Sequence, residues 1–148
     1  MNIHPIGFVR NKVKHPYYHE WGEIVSEIIV KEEYANGLIG LDDFSHALII
    51  FYKHQATYVE ERHLVRHPQE REELPKIGIF AQRAKHRPNP IGITAVEIIS
   101  IEENVLIVKG LDAINETPIL DIKPYFPDFD LREAETPEWV QEVMKYYF

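Results

Sequence analysis

Two arginines and a proline-rich loop form the stretch of this sequence whose residue types best suit a polar-ligand site. Arg83 and Arg87 lead directly into Pro88-Asn89-Pro90-Ile91-Gly92. The prolines fix their own φ angles and push the preceding residues out of the α region, while Gly92 permits close backbone approach or a positive φ. Such a stiff loop orders its donors before a ligand arrives. An ordinary turn with two solvated arginines fits the same pattern.

Polar residues also stand at both ends of one apolar run, Ala47 to Tyr52. A continuous run of this length predicts a strand that is buried on both faces. His46 enters the run and His54-Gln55 leaves it. These side chains therefore occupy positions where binding sites often form, or where rim residues simply find partners.

Two further pairs have a spacing that could do chemistry. Asp121 and Lys123 fall on one face of a predicted strand, where a structural ion pair also fits. His63 and His67 have the spacing of two metal ligands on a helix. Pro68 breaks that helix and no third ligand is evident, so we expect no metal site.

The composition is typical of a globular protein. The chain has 148 residues, 45% hydrophobic and 27% charged, which predicts a single domain over residues 1–148. The first residues do not read as a signal peptide, no apolar run reaches membrane-spanning length, and there is no cysteine. We therefore expect a cytoplasmic protein without membrane contact, disulfides or a cysteine nucleophile.

The charge is unevenly distributed along the chain. The formal net charge is −8, which argues against indiscriminate binding of polyanions. Residues 62–87 nevertheless hold seven Lys or Arg against three acidic residues, while residues 126–148 hold six acidic residues against two basic ones. A basic middle on an acidic body could meet phosphate at one place, although each run is also compatible with a solvated face.

The remaining pattern predicts short strands separated by polar turns. Strands are expected over 3–9, 23–30, 47–52, 77–80, 91–101, 105–108 and 118–125, with a hairpin turn at 102–104. Residues 31–38 predict a short helix, and residues 11–22 and 56–76 predict loops. Thr136 and Pro137 open a C-terminal helix whose apolar stripe, which includes Trp139 and Tyr147, indicates packing rather than chemistry.

These elements predict a mainly β fold, a small antiparallel β-barrel with peripheral short helices and a C-terminal helix. The barrel is expected to cover about residues 3–125, followed by a helical extension over 126–148. No glycine-rich strand-to-helix fingerprint is present, so a dinucleotide-binding fold is not supported.

Several longer motifs resemble the TsaA-like (YaeB-type) domain, the tRNA methyltransferase O family. The resemblance runs in the correct order from about Ile3 to Tyr125. It is carried by Phe44-Ser45-His46, His54-Gln55, Gly78-Ile79-Phe80-Ala81-Gln82-Arg83, Arg87-Pro88-Asn89-Pro90-Ile91-Gly92, and the segment from Thr117 to Tyr125.

The resemblance implies a β-barrel that binds S-adenosylmethionine, as a homodimer with the ligand near the subunit interface. Characterised members methylate N6 of the threonylcarbamoyl-adenosine beside the tRNA anticodon. Carried over by motif, the cofactor contacts are implied to be Tyr18, His19, Glu20, His54, Gln55, Arg83, Ile93, Asp112, Ala113, Ile114 and Asn115.

This sequence departs from the family pattern in three ways. Tyr18-His19-Glu20 replaces a frequent Pro-Arg-Gln stretch, so that backbone rather than side-chain contacts would remain. The family turn Asp-Gly-Thr-Pro is Asn115-Glu116-Thr117-Pro118 here, so a non-glycine residue must take the turn. The second domain of longer bacterial members is absent from this sequence.

Methyl transfer to a conjugated nitrogen calls for help with proton removal, and Asp121 and His46 are the candidate bases, between which the sequence does not choose. Phosphate contacts to tRNA are expected from basic and amide side chains of the middle region: Lys85, Arg87, Asn89, Arg62 and Arg66. Two interpretations follow. The chain is a tRNA methyltransferase, or it is a module of the same barrel that binds S-adenosylmethionine or methylates a smaller acceptor.

Overall fold

Eight strands form along the chain in the computed structural model, which describes residues 1–17 and 19–148. They are β1 (Gly7–Arg10), β2 (Val25–Val30), β3 (His46–Tyr52), β4 (Val65–Arg66), β5 (Ile77–Gly78), β6 (Ile91–Glu102), β7 (Val105–Lys109) and β8 (Pro118–Pro124). Six of them close into a barrel in the order β1-β2-β7-β6-β3-β8, with antiparallel neighbours. The predicted small antiparallel barrel is therefore confirmed.

Alternating side chains from the barrel strands fill its core. In β3, Ala47, Ile49 and Phe51 point inward and are fully buried, whereas Leu48 and Ile50 are half-buried on the outer wall. The prediction that this strand is buried on both faces is wrong, because one face of an antiparallel barrel strand lines the core and the other looks outward. The continuous apolar run thus leaves apolar side chains on the outer wall.

The helices are short and lie outside the barrel. They are α1 (Glu60–His63), α2 (Pro127–Asp130) and α3 (Glu138–Met144), with 3₁₀ turns at Glu32–Leu38, Leu41–Asp43, Pro68–Glu70 and Ile79–Ala81. The α3 helix begins after Pro137, one residue later than predicted, and Thr136 does not cap it. Among the described residues, no helix has both the length and the apolar character needed to cross a membrane.

The region between β3 and β6 is more ordered than its sequence suggested. The predicted loop over 56–76 contains α1 and β4, and β4 pairs with β5 in a separate two-stranded sheet. The predicted strand over 77–80 shortens to Ile77–Gly78. Buried Gln82 joins the two strands, because its Nε2 donates to the carbonyls of Arg66 at 3.1 Å and Ile77 at 3.0 Å.

Most of the other strand boundaries lie close to the predicted ones, and β1 is the exception. The predicted strand over 3–9 begins only at Gly7, where the chain passes so close to β2 that a Cβ would lie 2.4 Å from the Ile29 carbonyl oxygen. The hairpin between β6 and β7 is confirmed. Glu116 takes the left-handed turn at φ 71°, as the absence of glycine in that turn required.

Candidate functional site

Asp112 lies where the chain leaves β7 and turns across the barrel end at which β3 finishes and β6 begins. Gly110 makes this turn at φ 93°, and Leu111 is buried beneath it. The hydroxyl of Thr94 donates to Asp112 Oδ1, and the hydroxyl of Tyr147 donates to Oδ2. Within the described chain, no cationic side chain forms an ion pair with this carboxylate. Among the described residues, hydroxyls are the partners of both oxygens, so the negative charge of Asp112 remains available to a ligand.

Lys53, immediately after β3, extends toward Asp112. Its Nζ lies 5.9 Å from the centroid of the Phe51 ring. Burial lowers the pKa of Lys53, and the charge of Asp112 partly opposes this effect. Three further cations lower the same pKa through repulsion: Arg83, Arg87 and Lys85. We call Asp112, Thr94, Tyr147 and Lys53 the Asp112 cluster.

Gly92 lets the polar loop approach this cluster. A Cβ at Gly92 would lie 2.5 Å from Phe51 Cζ and 2.9 Å from Lys53 Cε. Gly92 has no positive φ, so close approach is the reason for glycine here. The sequence left open whether Gly92 serves close backbone approach or a positive φ, and the structure shows close approach.

Arg83 and Ile93, two predicted cofactor contacts, are in direct contact. The Nη2 of Arg83 donates to the Ile93 carbonyl at 2.9 Å. Thr94, the next residue of β6, holds Asp112. Ile93 and Thr94, adjacent residues of β6, thus hold the guanidinium of Arg83 and the carboxylate of Asp112, respectively. Arg83 and Asp112 therefore lie at the same part of the barrel.

The residues after Asp112 are largely engaged in holding their own loop. The Ala113 carbonyl accepts from Asn11 Nδ2 at 2.9 Å, and the Ile114 carbonyl accepts from Thr117 Oγ1 at 2.7 Å. The Asn115 side chain accepts from the Asn11 N–H at 3.0 Å. Because these groups are occupied, fewer backbone groups remain for a ligand than the motif implied.

The other predicted cofactor residues lie in two loops. Tyr18 falls outside the described residues. His19 is exposed, and Glu20 has a left-handed φ of 64° with its N–H donating to the Tyr146 carbonyl at 2.7 Å. His54 Nδ1 is buried without a hydrogen-bond partner among the described residues, while Gln55 is exposed.

The two candidate bases occupy different positions on the outer wall. Asp121 pairs with Ile50, which pairs with Ile93, so it lies two strand spacings, roughly 10 Å, from Ile93. His46 begins β3, four residues or roughly 13 Å from Ile50, and its Nδ1 contacts Ser45 Oγ at 2.7 Å.

The predicted phosphate contacts differ in accessibility. Arg62 and Asn89 are exposed and Lys85 is half-buried. The Arg66 side chain is only 11% exposed. Arg87 Nη1 donates to the carbonyls of Gln82 at 2.8 Å and Ala84 at 3.2 Å, so this arginine also holds its own loop.

His63 and His67 are each engaged with the backbone. His63 Nδ1 accepts from the Val59 N–H at 2.9 Å, and His67 Nδ1 lies 2.8 Å from the Leu74 carbonyl oxygen. In the described parts of the chain, no three His, Asp or Glu side chains group together as a metal site would require.

Sequence reasoning missed Lys53, Thr94 and Tyr147. Lys53 precedes the His54-Gln55 motif directly, and its position at the end of an apolar strand was a usable signal. Thr94 directly follows Ile93, a predicted cofactor contact, and this adjacency was also a usable signal. Tyr147 is 35 residues from Asp112 and carried no local signal, since only the folded chain brings the two together.

The family of this chain is shown by its sequence match. The profile of the tRNA-methyltransferase O N-terminal domain matches residues 10–131, and the chain belongs to that family. A probable S-adenosyl-L-methionine-binding protein from Pyrococcus abyssi is 36% identical, covering 93% of this chain and 75% of its own. A tRNA (adenine(37)-N6)-methyltransferase from Rattus norvegicus is 37% identical over 70% of this chain and 23% of its own.

The solved structures agree in fold. TrmO from Pseudomonas aeruginosa superposes with a TM-score of 0.73 at 28% identity, covering 92% of this chain and 60% of that chain. This chain therefore spans less than two thirds of the solved TrmO protein and under a quarter of the rat protein.

Proposed function

We propose that this chain binds S-adenosylmethionine beside Asp112 and Arg83 and transfers its methyl group to N6 of the threonylcarbamoyl-adenosine at tRNA position 37. The observation that carries the proposal is the pair of adjacent β6 residues: the Ile93 carbonyl holds Arg83, and the Thr94 hydroxyl holds Asp112. Family membership and the names of the relatives supply the identity of the cofactor and the reaction.

The side chains available match the chemistry of this cofactor. Arg83 uses Nη2 on the Ile93 carbonyl, and its Nε and Nη1 make no hydrogen bond within the described chain, so they can meet a carboxylate. Lys53 adds a second cation without an ion pair among the described residues. Each Asp112 oxygen has a further acceptor position for a ribose hydroxyl or an amino group.

When bound, the cofactor would supply an electrophilic methyl group on a sulfonium, whose sulfur leaves as a neutral thioether when its bond to the methyl carbon breaks. The work of the chain is alignment, together with removal of the proton that the acceptor nitrogen loses as its bond to the methyl carbon forms. Of the two candidate bases, we favour Asp121. It lies level with Ile93 across the sheet, because both residues pair with Ile50, whereas His46 lies four residues away from Ile50 along β3. Asp121→Asn should lower kcat without changing cofactor affinity, whereas His46→Gln should leave kcat unchanged.

Binding of tRNA requires cations that face solvent. Arg62 and Lys85 meet this requirement best, Arg87 retains only part of its guanidinium, and Asn89 can contact sugar or phosphate from the adjacent loop. Arg66 is the weakest of the five because most of its side chain is covered. A tRNA substrate would also put the protein in the cytoplasm.

The outer wall supports a homodimer. Tyr52 of β3 and Ile91 and Ile93 of β6 are adjacent in register and each about two fifths exposed, at 41%, 41% and 44%. An exposed apolar row of this kind is commonly an interface. Sedimentation velocity should give a dimer that Ile91→Asp converts to a monomer.

The test of the proposed function is methyl transfer itself. Radiolabelled S-adenosylmethionine should label bulk tRNA from cells that lack this modification, and nucleoside analysis should find the label on threonylcarbamoyl-adenosine. The Asp112→Ala variant is the negative control. Labelling of a different nucleoside would contradict the proposed acceptor.

A second candidate is an S-adenosylmethionine-binding module without tRNA activity. It is favoured by the Pyrococcus relative, which is named only for binding, and by the net charge of −8. Tight cofactor binding in calorimetry with no transfer to tRNA would decide for this module.

A further inference from the structure

The segment after α3 returns to the barrel end that carries the Asp112 cluster. Its backbone pairs with the N-terminal loop, because the Glu20 N–H donates to the Tyr146 carbonyl at 2.7 Å and the Trp21 N–H to the Tyr147 carbonyl at 2.8 Å. Gly22 permits this approach, since a Cβ there would lie 2.7 Å from the Phe148 carbonyl carbon. The segment is therefore fixed against the residues that precede β2.

Gln69 and Arg71, which lie in the region between β3 and β6, anchor the start of the same segment. Gln69 Nε2 donates to the Val143 carbonyl at 3.3 Å, and Arg71 Nη2 lies 3.7 Å from Glu142 Oε1. Residues 138–148 thus link two loops that lie far apart in sequence. This placement differs from the purely packing role that the apolar stripe of α3 indicated.

Tyr147 uses this placement to reach Asp112. Its hydroxyl donates to Asp112 Oδ2 while the Thr94 hydroxyl donates to Oδ1. A carboxylate held at one oxygen can still rotate about its terminal bond, whose preference is broad, whereas donors at both oxygens fix its plane. Thr94 comes from the barrel wall and Tyr147 from the returning segment, so neither alone determines the orientation.

We propose that Tyr147 is a positioning residue that, with Thr94, fixes the Asp112 carboxylate for the cofactor, so that the returning segment contributes to the binding site through this one side chain. The inference rests on the proposed function, because it takes Asp112 as a cofactor contact. Each carboxylate oxygen accepts one hydroxyl and keeps a second acceptor direction for the ligand. Loss of the Tyr147 hydroxyl should therefore weaken binding without removing the carboxylate.

The adjacent tyrosine offers a matched control. Tyr146 is 72% exposed, its ring lies 5.5 Å from Lys145 Nζ, and within the described chain its hydroxyl makes no hydrogen bond to Asp112. Tyr147→Phe and Tyr146→Phe each remove one hydroxyl from neighbouring positions, so a general effect on the segment would appear in both.

Calorimetry with S-adenosylmethionine should give an approximately tenfold higher Kd for Tyr147→Phe and a change below about twofold for Tyr146→Phe, since a hydrogen bond to a charged group is lost only in the first. In steady-state methylation the loss should appear in KM for the cofactor, with kcat at saturation within about twofold. Thr94→Val should weaken binding similarly, and Thr94→Ser should restore it.

A double-mutant cycle separates positioning from simple anchoring of the segment. In an Asp112→Ala background, Tyr147→Phe should have no further effect on Kd, because the group it orients is gone. An unchanged tenfold loss in that background would overturn the proposal, as would equal Kd values for Tyr147→Phe and wild type. Tighter binding by Tyr147→Phe would also overturn it, since the hydroxyl would then compete with the ligand.

Failure of the proposed function has a different signature. If the wild-type chain binds no S-adenosylmethionine, the proposed function fails together with this inference. If the wild-type chain binds and the Tyr147→Phe and Tyr146→Phe variants behave alike, only the positioning role fails.

Discussion

Asp112 and Asp121 are two half-buried carboxylates of the same barrel that are held in opposite ways. Asp121 pairs with Lys123 Nζ at 2.7 Å, two residues away on β8, and also accepts the Ile122 N–H at 2.9 Å. Asp112 accepts hydroxyls from Thr94 and Tyr147, which are 18 and 35 residues away. The first arrangement is local, whereas the second requires the whole fold.

This difference determines what each carboxylate can offer a ligand. Lys123 already balances the charge of Asp121 on an exposed strand face. Asp112 has hydroxyl partners instead. Lys53, whose pKa is affected by the charges of both Asp112 and Arg83, forms no ion pair within the described chain, and neither does Arg83. A ligand with both an anionic and a hydroxyl-bearing part can therefore be bound beside Asp112 without first separating an ion pair.

Replacing the two carboxylates should therefore have very different effects on binding. Asp112→Ala should weaken S-adenosylmethionine by about 100-fold, or ~2.7 kcal/mol, because charge-assisted hydrogen bonds are lost. Asp121→Ala should leave Kd within about twofold. Isothermal titration calorimetry measures both, and comparable losses in the two variants would contradict the distinction.

The crowding beside the Asp112 cluster can be tested through stability. Gly92→Ala should lower the free energy of unfolding by about 1–3 kcal/mol, because the new methyl group would overlap the Phe51 ring and displace Lys53. Gly37→Ala is the matched control, since a Cβ there meets no atom within 4 Å. Urea titration of both variants should separate them, and equal stabilities would show that the loop relaxes freely.

Arg83 tests the cationic half of the same site. Arg83→Ala should raise Kd for S-adenosylmethionine about tenfold, since one charged hydrogen-bonding partner is removed while Lys53 remains. Arg10→Ala is the control, because Arg10 is an exposed arginine that pairs with Glu27 at 2.8 Å. Undiminished affinity in Arg83→Ala would remove this residue from the binding site.

The contrast also explains how much the sequence could predict. The β6–β7 hairpin and the shared strand face of Asp121 and Lys123 depend on neighbours in sequence and on a period of two, so both were predicted, and the ion pair was one of the alternatives left open. The barrel class followed from many short strands with turn signals. Glu116 at φ 71° was predictable because the turn lacks glycine.

What sequence reasoning could not supply were contacts between distant segments. Tyr147 lies in an apolar stripe that periodicity assigns to packing, and only the return of residues 138–148 to the barrel brings it to Asp112. In the region around residues 56–76, the side chain amide of Gln82 donates to backbone carbonyls of both β4 and β5, which supports their pairing. Such contacts leave no periodic signal.

The smallest effect is expected from the local ion pair. Asp121 raises the pKa of Lys123, first through their hydrogen bond and then through its charge. A group whose pKa is raised on folding stabilises the fold below its unfolded pKa and loses that contribution as pH rises through the folded pKa. Lys123→Met should therefore lower stability slightly at pH 7.

The effect should remain small because the two side chains are 59% and 48% exposed, and water and salt screen such pairs. Urea titrations of wild type and Lys123→Met should differ most at neutral pH and converge as pH rises through the folded pKa of Lys123, which lies above the ordinary lysine value of about 10.4. A difference as large as that of Gly92→Ala, or one that grows in alkali, would mean that this pair supports the barrel and that the contrast with Asp112 is weaker than its geometry implies.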